Sequence, residues 1–256
     1  MSKFNPFNST IFNKVIMAIT GGILVLFLLG HMMGNLLIFL GRDVFNSYAH
    51  FLQSTGELLW IIRIVLLTSV ILHVITALRL KFLNNASKPE NYKIKSYVKS
   101  TLYSRTMIYT GIMIFLLVTY HLLHYTIYVT NPEFSEFHEQ YGPKINTEAV
   151  VETNGVEMTV NAGEGIFNRH DAYKMVITGF SQPLIVVVYV LFVFFVGMHL
   201  IHAIQSMFQT LGVNGPRITP ILINCSKILG WGLFLGFSSV PLSVLIFGLG
   251  KGVIGL

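Results

Sequence analysis

The chain has little charge and almost no cysteine. Of its 256 residues only 11% are Asp, Glu, Lys or Arg, against about a quarter in an ordinary soluble domain. With 53% hydrophobic residues and a mean hydropathy of +0.66, this excludes a water-soluble globular domain and points to a polytopic membrane protein. The single cysteine, Cys225, excludes an intrachain disulfide and any cluster of thiolate metal ligands. Acidic residues are scarcer than basic ones, 11 against 17, for a net charge of +6. The basic residues border apolar runs and do not interleave with aromatics, so the excess is assigned to topology and lipid headgroups rather than to nucleic acid. There is no hydrolytic or nucleophilic constellation, no phosphate-cradling glycine loop, no low-complexity segment and no clear internal repeat. A cleavable signal peptide is not expected either. The first apolar run, from Lys14 to Leu40, exceeds the roughly 7–15 residues of a signal core and lacks a clear small-residue cleavage site.

What the chain does have is apolar runs of bilayer-crossing length, about 20 residues each. They occupy 14–40, 58–83, 105–130, 183–210 and 219–249. The expected fold is an all-α, five-helix transmembrane bundle forming one domain over 1–256. The 79–105 connection carries Arg79, Lys81, Lys88, Lys93, Lys95, Lys99 and Arg105 against the lone acid Glu90. The positive-inside rule makes it cytoplasmic. Alternation then places the N-terminus, with Lys3 and Lys14, and the turn at Arg217 inside. The 41–57 and 131–182 connections and the C-terminus lie outside. The 131–182 connection holds eight acidic and three basic residues. Within it, "EAVVETNGVEMTV" reads as a hairpin turning at Asn154-Gly155. "HDAYKMVITGF" reads as a short surface helix begun by Asp171, ahead of the Pro183 that opens the fourth span.

Histidine stands out against this background. From Thr106 to Thr130 there is no Asp, Glu, Lys or Arg, yet His121 and His124 lie one helical turn apart. An ionisable side chain at bilayer depth is expensive and marks a functional site by default. At ~1.5 Å of rise per residue, His31 lies ~6 Å and His121 ~5 Å outward of their span midpoints, while His73 and His199 each lie ~4 Å inward. The four form an outer pair and an inner pair, each drawn from two helices. That is what a six-coordinate haem requires, with four porphyrin nitrogens and two axial imidazoles. Two pairs make two haems stacked across the membrane. An isolated histidine of this kind is equally well read as an interhelical hydrogen bond; four at two matched depths are not. Gly30 and Gly34 bracket His31, Ala77 follows His73 at i+4, and Ala203 follows His199 at i+4. Such small residues let a flat macrocycle approach. They also serve ordinary helix contacts. Spacing alone does not choose between His121 and His124, or between His199 and His202. His50, His138 and His170 fall in outer connections and read as solvated.

These residues resemble a family: the single-chain, two-haem cytochrome b membrane anchor of succinate dehydrogenase and quinol:fumarate reductase. The resemblance covers almost the whole chain. It rests on "GHMMGNL" (30–36), "VFNSYAHFLQS" (44–54), "LHVITALRL" (72–80), "TGIMIFLLVTYH" (110–121) and "GMHLIHAIQSMFQTLG" (197–212), in that order and spacing. The family pattern has a Thr-Gly pair ahead of the third-span ligand, which Gly111 and His121 fit. In the fourth span the ligand precedes a small residue and then a glycine, and His199 fits with Ala203 and Gly212. The resemblance thus implies His31 with His121 on an outer haem b, and His73 with His199 on an inner haem b. The family's usual glycine four residues after a ligand is alanine here, twice.

The resemblance also implies an electron conduit in the bacterial cytoplasmic membrane. A flavoprotein and an iron–sulfur subunit would dock on the cytoplasmic face, and a quinone, by resemblance menaquinone, would react near the outer surface. A higher oligomer of that complex is compatible with the sequence. In related anchors an acidic residue near the start of the second span handles quinone protons. Here Gln53 falls at that position and Glu57 one turn on, so His50, Gln53 and Glu57 are the quinone candidates. Arg63 is a candidate partner for a haem propionate, with snorkelling to the surface as its alternative. His124 and His202 are candidates for a propionate or a quinone. Two readings from other classes stand beside this one. One is the cytochrome b anchor of another respiratory oxidoreductase, such as a hydrogenase or formate dehydrogenase. The other is a non-haem proton-coupled transporter whose histidines relay protons.

Overall fold

A computed structural model of the chain describes residues 9–87, 100–144, 148–153, 155–163 and 165–254. Lys3, Lys88, Glu90, Lys93, Lys95 and Lys99, which carry much of the charge used to orient the chain, lie outside these residues, as does Asn154. Five helices are long and apolar enough to cross a membrane. They are α1 (Thr10–Leu36, prolonged by a 3-10 turn over Leu37–Leu40), α3 (Glu57–Ala86), α4 (Leu102–Tyr125), α6 (Pro183–Thr210) and α7 (Ile218–Phe247). Two shorter helices, α2 (Arg42–Ser54) and α5 (Ala172–Phe180), lie between them in sequence. In hydrocarbon a helix is favoured because each backbone donor and acceptor is satisfied within the segment.

The long helices match the expected spans to within a few residues. The main difference is α4, which stops at Tyr125 rather than near residue 130. The sequence there turns to Thr126-Ile127-Tyr128-Val129-Thr130, rich in β-branched residues with low helix propensity. Asn131-Pro132 then diverts the chain into a 3-10 turn over Pro132–Glu136. Tyr128 adopts a left-handed backbone, φ 61°. Pro183 stands first in α6, where its missing N–H costs nothing.

By internal packing the chain divides into two compact units. The first comprises Met1–Met33, Gly56–Leu117 and Val188–Ser239, and its described residues are mainly helical. Its buried core is Val196, Leu200 and Ile204 of α6 with Leu233 of α7, flanked by Val25, Leu28, Leu29 and Met32 of α1. α6 and α7 meet where glycine faces glycine. A Cβ on Gly197 would lie 2.9 Å from the Gly230 carbonyl oxygen, and one on Gly230 would lie 2.8 Å from the Gly197 carbonyl. Small residues permit this approach, and dispersion between closely fitted helices is the main attraction available in lipid.

The second unit comprises Gly34–Thr55, Val118–Val187 and Val240–Leu256. It holds α2, α5 and four strands: β1 (His138–Lys144), β2 (Ala149–Thr153), β3 (Val156–Val160) and β4 (Gly165–His170). β2 and β3 form the expected antiparallel hairpin, with Thr153 opposite Val156 and Gly155 at φ 78°. β1 and β4 pair antiparallel from His138↔His170 to Lys144↔Gly165, an arrangement not anticipated from the sequence. Asp171 begins α5 as expected, its carboxylate accepting the Lys174 amide at 3.0 Å.

Asp171 is fully buried and heavily bonded. It accepts from the Arg42 guanidinium at 2.5 Å and from the Asn46 side-chain amide at 2.8 Å. Asn46 in turn accepts the Tyr173 N–H at 2.7 Å. Arg169, also buried, donates to Glu139, Ser47 and Asp43 at 2.8, 2.8 and 2.6 Å. Burial by itself would raise the Asp171 pKa. The bonds from Arg42, Lys174 N–H and Asn46 outweigh it and hold the carboxyl below its ordinary value.

Candidate functional site

His73 and His199 belong to the first unit, one on α3 and one on α6. Their ring centroids are 6.5 Å apart, with ring planes inclined at 64°. Two imidazoles bound on opposite sides of one metal ion, through metal–nitrogen bonds of about 2 Å, have ring centres roughly 6–6.5 Å apart. The observed separation is that span. It is too long for van der Waals stacking and too long for a direct hydrogen bond between the rings.

Each ring is held by the same kind of partner on another helix. Nδ1 of His73 lies 3.3 Å from the Thr20 hydroxyl of α1. Nδ1 of His199 lies 3.1 Å from the Thr110 hydroxyl of α4. Both hydroxyls have their own proton committed along their helix, Thr20 to the Ile16 carbonyl at 2.8 Å and Thr110 to the Thr106 carbonyl at 3.2 Å. The hydroxyl oxygen is therefore the acceptor and Nδ1–H the donor. With the proton on Nδ1, the lone pair resides on Nε2. This is the orientation that a ligating imidazole takes when an outer partner fixes its tautomer.

The backbone makes room for both rings. A Cβ on Gly21 would lie 3.3 Å from Cε1 of His73, and one on Gly111 would lie 3.6 Å from Cε1 of His199. Gly21 follows Thr20 and Gly111 follows Thr110, so each Thr-Gly pair supplies an acceptor and then clears the neighbouring space.

The other candidates separate by burial and packing. His31, on the part of α1 in the first unit, stacks on Phe27 at 5.3 Å and 15° and lies 5.7 Å from Phe237. Gly30 beside it has nothing within 4 Å of a Cβ position, as an open approach requires. Gly34 departs from that reading. Its Cβ position lies 2.6 Å from the Tyr48 ring of the same unit, so this glycine admits a tyrosine. His121 falls in the second unit, 5.9 Å from Tyr125 and half-buried. His124 is buried, against Tyr125 at 4.0 Å and Phe134 at 5.6 Å. His202 is half-buried one turn beyond His199.

The quinone candidates are not brought together. Gln53 and Glu57 are exposed. His50 lies half-buried against Tyr141, its Nε2 3.5 Å from the tyrosine hydroxyl. Arg63 is exposed, with its guanidinium over the Trp60 ring at 5.0 Å, the disposition of an interfacial anchor. His138 is exposed. His170 is half-buried beside it with ring centroids 5.9 Å apart, and burial followed by the His138 charge lowers its pKa.

Sequence reasoning missed Thr20 and the role of Thr110. The available signal was a recurrence. Met17, Thr20, Gly21 and His31 reappear at identical spacing as Met107, Thr110, Gly111 and His121. So a short internal repeat exists after all. It escapes notice because the residues between are unspecific apolar ones.

Among the described residues, no three or more His, Cys, Asp or Glu side chains gather as a metal site; an axial bis-imidazole site needs only two. No protein-family model, curated protein or solved structure matches the chain. The fold is that of a helical protein with five segments long and apolar enough to cross a membrane.

Proposed function

We propose that the chain is a dihaem cytochrome b membrane anchor of a succinate:quinone oxidoreductase, carrying electrons between an iron–sulfur subunit and membrane quinone. The observation that supports it most is the His73–His199 pair, 6.5 Å between ring centres with both Nδ1 atoms engaged by threonine. In this reading these two residues are the axial ligands of an inner haem b. His31 and His121 are assigned to an outer haem b on their sequence motifs. Bound haem supplies one-electron redox chemistry. The chain's own residues do the rest: the histidines ligate, Thr20 and Thr110 fix ring orientation, Gly21 and Gly111 keep space at the rings, and the apolar helices exclude water.

The proposal further places the chain in a bacterial cytoplasmic membrane, with the N-terminus and the 79–105 connection inside and the C-terminus outside. A flavoprotein and an iron–sulfur subunit dock on the basic inner face. Quinone, by resemblance menaquinone, reacts near the outer surface, with His50, Gln53 and Glu57 as candidates for its protons and Arg63, His124 and His202 as candidate polar contacts.

The test is a reduced-minus-oxidised spectrum of the purified chain, produced with ample iron and porphyrin. A b-type spectrum supports the proposal; a colourless protein refutes it and leaves the proton-relay transporter. Co-purification with a flavoprotein and an iron–sulfur subunit separates this anchor from the cytochrome b of a hydrogenase or formate dehydrogenase.

A further inference from the structure

We infer that Thr20 and Thr110 are paired positioning residues that set the orientation and electron-donating strength of the two inner histidines, and hence the potential of the inner haem alone. The inference rests on the haem reading above and adds two residues outside the ligand set.

A threonine in an apolar helix normally satisfies its hydroxyl on its own i−4 carbonyl and needs no further explanation. Thr20 and Thr110 do this, yet each also receives a bond from an imidazole on a different helix. Both are buried, at 5% and 4% exposure. Water therefore does not compete for the hydroxyl oxygen. The two sites are built alike. α1 provides the hydroxyl for the histidine of α3, as α4 does for the histidine of α6. In both cases the hydroxyl lies close to a methionine carbonyl three residues earlier, 3.2 Å for Met17 and 3.1 Å for Met107. In both cases the following glycine lies against the same ring carbon, Cε1. The Met-x-x-Thr-Gly sequence that does this is one half of the recurrence, and the outer ligand ten residues on is the other. Two independent helices arriving at one arrangement is hard to assign to filler.

An acceptor on Nδ1–H makes an imidazole a stronger donor through Nε2. A more electron-rich axial ligand stabilises ferric over ferrous iron and lowers the potential. Loss of the hydroxyl reverses this. It also removes the hydrogen bond at Nδ1 that fixes the ring plane, so the angle between the axial rings is freed to change.

The experiment uses the full chain in detergent, titrated potentiometrically and examined by low-spin EPR, with Thr20→Val and Thr110→Val compared against Thr20→Ser and Thr110→Ser. Valine keeps shape and removes only the hydroxyl. Both valine variants are expected to raise the midpoint potential of one and the same haem, the one lost when His73 or His199 is replaced. They are expected to alter its g-anisotropy and to leave the other haem unmoved. Serine restores the wild-type values. Should a valine variant lose the inner haem outright, recovery of that haem by serine supports the inference, and failure of serine to recover it counts against it. The inference is overturned if a two-haem protein shows unmoved potentials and EPR in both valine variants, or equal shifts in both haems. A wild-type chain without haem would instead overturn the functional reading itself.

Discussion

The two units hold polar side chains in different ways. In the second, Asp171 is fully buried and its carboxylate takes bonds from Arg42, Asn46 and Lys174 N–H, while Arg169 is satisfied by Glu139, Ser47 and Asp43. The two buried charges there, Asp171 and Arg169, each have partners of the opposite sign within the unit, which is how buried charge is made tolerable. In the first unit, His73 and His199 are half-buried and each is bonded through Nδ1 to a threonine of another helix, with 6.5 Å between ring centroids. A saturated network describes a scaffold. Two imidazoles, each oriented through one nitrogen, make up the candidate site.

The contrast can be broken first at Asp171. Replacing it with Ala removes the buried acceptor shared by Asn46, Lys174 N–H and Arg42, which keeps only Glu139, and stability should fall by about 1–3 kcal/mol, read as earlier loss of helix signal on heating. Haem content of the protein that remains folded should be unchanged, because the network belongs to the scaffold.

A next effect concerns the glycines. Gly21→Ala puts a methyl 3.3 Å from the His73 ring, tighter than the 3.6 Å that Gly111→Ala puts beside His199. The first should disturb the inner-haem EPR spectrum visibly and the second little. Equal disturbance would deny that the ring positions are as found.

Acid sharpens the same comparison. The Asp171 carboxyl has its pKa held below the ordinary value, so its contribution is present above the unfolded-state pKa and is lost as pH falls through the folded-state value. Wild-type thermal stability should therefore decline on acidification below the usual carboxylate range. Asp171→Asn should decline less steeply. The smallest effect is expected at Arg63, exposed over Trp60. Arg63→Gln should cost within about 1 kcal/mol and leave both haem potentials in place, whereas a shifted outer-haem potential would restore its role as a propionate partner.

The long helices were legible because lipid imposes one rule, an apolar run of sufficient length, and five runs satisfy it. Asp171 was legible as a helix start because capping is local chemistry. The 42–54 segment was harder. It is a short amphipathic helix whose polar face, with Arg42, Asp43, Asn46 and Ser47, bonds to residues 90 or more positions away, so its docking is not read locally. The β1–β4 pairing was missed for the same reason: its strands are fixed by Arg169 and Glu139 more than by alternating apolar residues. At the site, the closeness of His73 and His199 was legible from their matched depth. Their threonines were not, since a hydroxyl in an apolar helix has a sufficient local partner and only the fold reveals a second one.

The central claim is that His73 and His199 hold one metal-centred group between them. The most direct measurement is haem stoichiometry by pyridine haemochrome on the purified wild-type chain and on His73→Ala and His199→Ala. The account predicts two haems per chain in the wild type and one in either variant, the same one lost in both. Two haems retained in both variants, or different haems lost, would contradict it.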